Sequence, residues 1–159
     1  MKKALVIFLM GCGLIFSANA QTQNQGDARL HAFGSYGLRW ENLGAGAGIE
    51  FFFIDHFAVM PSFTKIFPEV GNASNFSFDF RYFVSEGPSQ LYFMTGYSQN
   101  WENPNKDGGV GVRRTYKGAN VGVGAYIRLI DQVGLSTEFR VQSQFPREAS
   151  FRFGLTFPL

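Results

Sequence analysis

Histidines, cysteines and paired carboxylates are the side chains through which most hydrolytic, redox and metal chemistry runs. This chain holds two histidines, His31 and His56, and a single cysteine, Cys12. It contains neither a His-x-His nor a His-Glu-x-x-His pattern, so no metal and no cofactor is expected. His31 lies close in sequence to serines such as Ser35, but nucleophilic catalysis needs a hydroxyl, an imidazole and an acid in mutual reach, which spacing alone does not supply. His56 follows Asp55 in a turn-forming stretch, where making the turn is its simpler role. The carboxylates Asp79 and Glu138 stand two residues from Arg81 and Arg140, a pattern of ion pairing rather than acid–base work. The string Gly44-Ala45-Gly46-Ala47-Gly48 lacks the lysine and the strand-to-helix context of a phosphate-cradling loop. No residue is therefore assigned a catalytic role, and the chain reads as a non-enzymatic protein.

The elements that carry these residues begin after an export signal. Met1-Lys2-Lys3, the apolar run from Ala4 to Phe16 and the small-residue sequence Ser17-Ala18-Asn19-Ala20 have the three-part form of a signal peptide cleaved after Ala20. The apolar run would rise only about 20 Å as a helix, short of a bilayer core of roughly 30 Å. A lipoprotein cut before Cys12 is the competing reading. The expected organisation is a signal peptide at 1–20, a flexible periplasmic lead-in at 21–27 and one domain at 28–159.

Beyond residue 20 the loss of Lys2 and Lys3 leaves 12 basic residues against 12 acidic ones, with no cysteine. That balance gives no footprint for nucleic acid, and no disulfide framework is available. All 19 phenylalanines except Phe8 and Phe16 fall in this part. A small soluble domain would have to bury them, whereas a lipid-facing wall exposes them without penalty.

Residues alternate with a period of two in eight segments, at 29–39, 44–53, 57–66, 76–84, 89–98, 119–128, 134–142 and 149–157. The last is the clearest: Phe151, Phe153, Leu155 and Phe157 alternate with Ser150, Arg152, Gly154 and Thr156. The pattern predicts an all-β fold, an eight-stranded antiparallel transmembrane β-barrel with a polar, arginine-rich interior. The stretch 109–114 also alternates, and is read as a strand extension or protruding hairpin because an even strand number closes the barrel. Short joints at 54–56, 85–88 and 129–133 suit periplasmic turns. The longer ones at 67–75 and 99–118 suit outward loops, the latter with Trp101 as an aromatic anchor and the main surface free for binding.

This phasing places Glu50, Asp79 and Glu138 in the lumen with Arg29, Arg39, Arg81, Arg128, Arg140 and Arg152, joined by His31. Eight strands leave an interior only wide enough for side chains, so these charges must be paired or hydrated. Glu50, Asp79, Arg81, Arg128, Glu138, Arg140 and Arg152 are expected to form a structural charge network, with a narrow anion conduit as the alternative. Gly46, Gly48, Gly122, Gly124 and Gly154 share the inner face and make room for large neighbours such as Tyr126. Leu30, Ala32, Tyr36, Leu38, Ile49, Phe51, Phe53, Phe57, Val59 and Phe63 face outward. Tyr36, Trp40, Tyr82, Tyr97 and Phe157 fall near strand ends, at headgroup level. Pro61, inside a segment, predicts a bulge or a boundary.

Leu43 to Phe53 with the following Ile54-Asp55-His56-Phe57-Ala58-Val59, the hairpin Asn120 to Val141 and the closing strand Ser150 to Phe157 resemble the small outer-membrane β-barrel family that includes the OmpA-like transmembrane domain, in its Bacteroidetes version. The resemblance spans about 28–159. It implies residence in the bacterial outer membrane, contact with its lipid, and delivery by a barrel-assembly machinery that reads a C-terminal aromatic residue. Phe157, followed by Pro158-Leu159, departs from that ending. No peptidoglycan-binding segment follows in this sequence, so no wall tether is implied.

Family members include structural barrels, adhesins and a few lipid-modifying enzymes. The favoured reading is a monomeric structural or surface-interaction protein with an extracellular partner still to be named. The alternatives are a lipid-modifying enzyme using His31 or His56, a narrow anion channel, and a soluble secreted barrel that turns its Phe and Leu rows inward around an apolar ligand.

Overall fold

The computed structural model describes residues 24–104, 114–144 and 147–159. The signal segment 1–20 and most of the 109–114 stretch lie outside the described residues. The alternating segments form eight strands: β1 (Ala28–Gly37), β2 (Leu43–Ile54), β3 (Phe57–Phe67), β4 (Asn72–Phe83), β5 (Ser89–Asn103), β6 (Arg114–Ile130), β7 (Val133–Gln142) and β8 (Glu148–Pro158). Each pairs antiparallel with its sequence neighbour, and β1 pairs with β8 to close the barrel. Closure gives every strand two partners and leaves no sheet edge, the condition for a sheet to sit in hydrocarbon.

The period of two sets the faces. Along β4, Asn75, Ser77, Asp79, Arg81 and Phe83 are buried while Phe78, Phe80 and Tyr82 are exposed. Along β8, Arg152, Gly154 and Thr156 point in while Phe151, Phe153 and Leu155 point out. Leu30, Ile49, Phe51, Phe57, Phe63, Leu91, Phe93, Val121 and Val123 complete an apolar belt. From Ala149 to Phe157 the belt climbs about 20 Å at the usual strand tilt, near the roughly 25 Å of a bilayer-facing band. Tyr36, Trp40, Tyr82 and Tyr97 are exposed near its two margins. A soluble barrel with inward Phe and Leu rows is ruled out by this arrangement.

Several boundaries differ from the sequence reading. β4 begins at Asn72, inside the expected loop 67–75. The expected loop 99–118 is ladder at both its ends: Gln99↔Lys117, Asn100↔Tyr116 and Trp101↔Thr115 continue the β5–β6 hairpin. Trp101 is therefore a strand residue rather than a loop anchor. Turn-type composition at Pro104 to Gly109 drew attention away from polar flanks that are held as strand by their partner.

Pro61 produces neither bulge nor boundary. It pairs with Phe78 on β4, while the β2 ladder passes from Gly48↔Ser62 to Phe51↔Val59 in unchanged register. The missing N–H thus costs one local gap. The register does shift at the turn, between Phe52 and Ile54, where His56 adopts a φ of 67°. Residues 25–27, at the end of the lead-in, bond to the barrel. Gly26 N–H donates to Phe52 O at 2.8 Å, Phe52 N–H to Asp27 O at 2.9 Å, and Gln25 N–H to Asp55 Oδ1 at 2.8 Å.

Candidate functional site

The lumen has three levels. At the end where β1 begins and β8 ends, Phe52, Ala58, Phe83, Tyr92 and Met94 form a buried cluster. The Phe52 and Phe83 rings lie 5.1 Å apart, as do those of Phe83 and Tyr92. The Arg29 guanidinium sits 4.8 Å from the Phe52 centroid, 5.6 Å from Phe83 and 4.3 Å from Tyr126. Its Nε and Nη2 have no hydrogen-bond acceptor, and the ring faces supply the electrostatic partner instead. Inward aromatics are thus a structural layer that the division into aromatic-out and charged-in did not foresee. The run Phe51-Phe52-Phe53 was the available signal, since a strand must turn one of three consecutive rings inward.

Glycines on opposing strands seat these rings. Tyr92 pairs with Gly124 and Phe33 with both Gly46 and Gly154. A Cβ at Gly124 would collide with the Tyr92 ring, and one at Gly134 with Tyr126. Gly46, Gly124 and Gly134 are cradles for aromatic side chains, whereas Gly48 faces Met60 and Gly122 faces Arg140.

The middle level is a continuous chain of ion pairs. Arg29 reaches Glu50 at 3.4 Å, and Arg81 bridges Glu50 at 2.8 Å to Glu138 at 2.6 Å. Arg140 pairs with Glu138 and, at 2.8 Å, with Asp79. Tyr92 OH donates to Glu138 at 3.0 Å and Asn120 Nδ2 to Asp79 at 2.9 Å. These carboxylates and guanidiniums are almost wholly buried. Unpaired, each would carry a penalty of several kcal/mol; paired and hydrogen-bonded from both sides, the set fills the lumen at tolerable cost.

His31 lies within this layer. Thr156 Oγ1 stands 3.1 Å from its Nδ1, and its Nε2 is 3.4 Å from Glu50 Oε2. This hydroxyl–imidazole–carboxylate row has the order of a catalytic relay, with Thr156 rather than Ser35 beside the ring. However, Thr156 and Glu50 are fully buried and His31 is 2% exposed, so the hydroxyl has no access to substrate. His56 sits in the β2–β3 turn, 3.2 Å from Glu86. No group of three metal-ligating side chains occurs among the described residues.

Of the seven charges expected to form the network, Glu50, Asp79, Arg81, Glu138 and Arg140 are joined by ion pairs, and Arg29 adds a sixth member. Arg128 is only half-buried, at the inner rim where the β6–β7 register shifts. Arg39 lies outside the lumen: its N–H donates to Glu148 at 3.0 Å and its guanidinium stacks 5.5 Å from the Trp40 ring. Both lie close to strand ends, where alternation no longer reports the face.

Arg152 is the exception inside. Its register partner is Glu138, yet that carboxylate is held by Arg81, Arg140 and Tyr92. Arg152 instead donates to Ser62 Oγ and Thr64 Oγ1, each at 3.3 Å, and stacks 4.5 Å from the Phe33 ring. It forms part of the wall of the third level, a cavity of about 290 Å³ at the end opposite the Phe52–Phe83–Tyr92 cluster, also bounded by Trp40, Asn75, Asn100 and Gln142.

No protein-family profile and no curated protein matches the sequence. Solved structures do match the fold. The N-terminal β-barrel domain of Pseudomonas aeruginosa OprF superposes with a TM-score of 0.74 at 19% identity, covering 87% of this chain and all of that one. Neisserial surface protein A matches with 0.62 at 13% identity over 82% of this chain and 94% of its own. Ail, the attachment invasion locus protein of Yersinia pestis, gives 0.60 at 13% identity over 85% and 99%. The chain is thus a small eight-stranded antiparallel barrel of the form found in known outer-membrane barrel proteins.

Proposed function

We propose that this protein is a non-enzymatic structural and surface-interaction barrel of the bacterial outer membrane, exported by a signal peptide cleaved after Ala20. The observation that carries the reading is the pairing of a continuous exposed apolar belt with a lumen filled by aromatic rings and ion pairs. Such a barrel is stable in lipid and closed to flow, which leaves its outward end as the working surface. The Glu50–Arg81–Glu138–Arg140–Asp79 chain, with Arg152 above it and Arg128 at its rim, serves to fix register and fill space.

The barrel-assembly machinery would receive it through β8, whose Phe157 pairs with Leu30 and whose Leu159 N–H caps Ala28 O at 3.0 Å. The protein acts as a monomer, with lipid around the belt and an extracellular partner at the mouth; nucleic acid is no part of its function. Its resemblance to a surface protein and to an attachment protein favours this reading over a purely mechanical one.

Membrane fractionation of the native protein tests it. The protein should sediment with the outer membrane and migrate faster on gels before boiling than after. A mature protein that stays soluble and monomeric without detergent would refute the proposal.

A further inference from the structure

We infer that the outward cavity is a binding site for a small hydroxylated monocarboxylate about the size of one sugar-acid unit, with Arg152 as its anchor. Three lumenal carboxylates, Glu50, Asp79 and Glu138, face four guanidiniums, those of Arg29, Arg81, Arg140 and Arg152. Arg152 is the only one of the four without a carboxylate within 4 Å among the described residues. A buried cation left uncompensated is costly, and an anion arriving from the mouth would relieve that cost. Ser62 and Thr64 occupy only two of the five guanidinium N–H groups.

A second donor lies unpaired within the cavity wall. Arg140 donates to Ser77 Oγ at 3.3 Å, so Ser77 donates onward to Asn75 Oδ1 at 2.8 Å. That relay fixes the Asn75 amide and leaves its Nδ2 buried with no partner, on a side chain only 2% exposed. The opposite need arises at Asn100, whose Nδ2 is used by Glu102 at 2.8 Å while its buried Oδ1 has no donor. The cavity wall thus holds the guanidiniums of Arg152 and Arg114 and, just beneath its surface, an unpaired amide N–H at Asn75 and an unpaired carbonyl at Asn100, which a small side-chain shift would turn to the carboxylate and a hydroxyl of the same ligand.

Around the cavity Arg114 and Arg152 share the wall with Glu102 and Glu148, a balance that admits a singly charged anion at buried Arg152 and opposes a more highly charged guest. Exposed Trp40 on the same wall gives a ring face to the ligand's less polar side. About 290 Å³ admits a single ring rather than a chain.

The outward direction of the cavity rests on the membrane reading above, but binding in detergent does not. Failure here and failure of that reading are therefore separable. Calorimetric titration of the folded, detergent-solubilised protein with sodium glucuronate should give saturable heat, with glucose and inorganic sulfate binding much more weakly. Arg152→Gln should weaken glucuronate by about ten- to a hundredfold, and Asn75→Ala by about fivefold. If Arg152→Gln does not fold, Asn75→Ala, which touches no ion pair, decides the matter. No heat with glucuronate, equal binding of sulfate, or unchanged affinity in the folded variants would overturn the assignment.

Discussion

Arg140 shows how much rests on single side chains in so narrow a lumen. It holds Glu138 and Asp79 at once and donates to Ser77 Oγ, all without exposure to solvent. Arg140→Leu would leave Asp79 with only Asn120 as a charge-solvating neighbour, a change expected to cost about 3–5 kcal/mol. Urea unfolding in lipid vesicles, followed by tryptophan fluorescence, reads that loss. Adding Asp79→Asn should recover part of it, since a neutral amide keeps the Asn120 contact and needs no counter-charge. These pairings were only half legible in the sequence. Alternation told which charges face inward except near strand ends, where Arg39 and Arg128 depart, but Glu138 and Arg152 are register partners that do not pair. Partner choice follows from reach across the lumen, which no local spacing encodes.

At the scale of the element, each strand is specified by a lipid row and a lumen row, and the two tolerate different changes. Phe153 lies at the middle of β8 and is 61% exposed. Phe153→Arg should destabilise the folded barrel by about 2–4 kcal/mol in vesicles, the penalty for a cation at the bilayer midplane. The same substitution at Trp40, in the outer turn, should cost close to nothing; equal losses at the two sites would refute the placement of the belt. Strand identity was legible wherever apolar and polar residues alternate, as in β4 and β8. It failed along Gln99–Asn103 and Arg114–Gly118, which are polar on both faces. There the ladder is stabilised by its partner strand rather than by burial, so composition carries no signal.

The whole molecule is a closed barrel sealed by rings at its inner end, tied by ion pairs at its middle and hollow at its outer end. Such a lumen should pass no current: planar bilayers containing the protein are expected to show no discrete conductance steps. Steps that vanish on neutralising Arg81 and Arg140 would restore the anion-channel reading.

By itself, the sequence determined the strand count, the antiparallel closed sheet and the direction of most side chains. A period of two is local, and eight tilted strands of this length have one way to hide their edges. Only the tertiary structure decided which charges meet, that Gly46, Gly124 and Gly134 seat aromatic rings, and that Arg152 is left facing an open cavity. Those contacts join residues on strands far apart in the chain, and their geometry exists only once the barrel has closed.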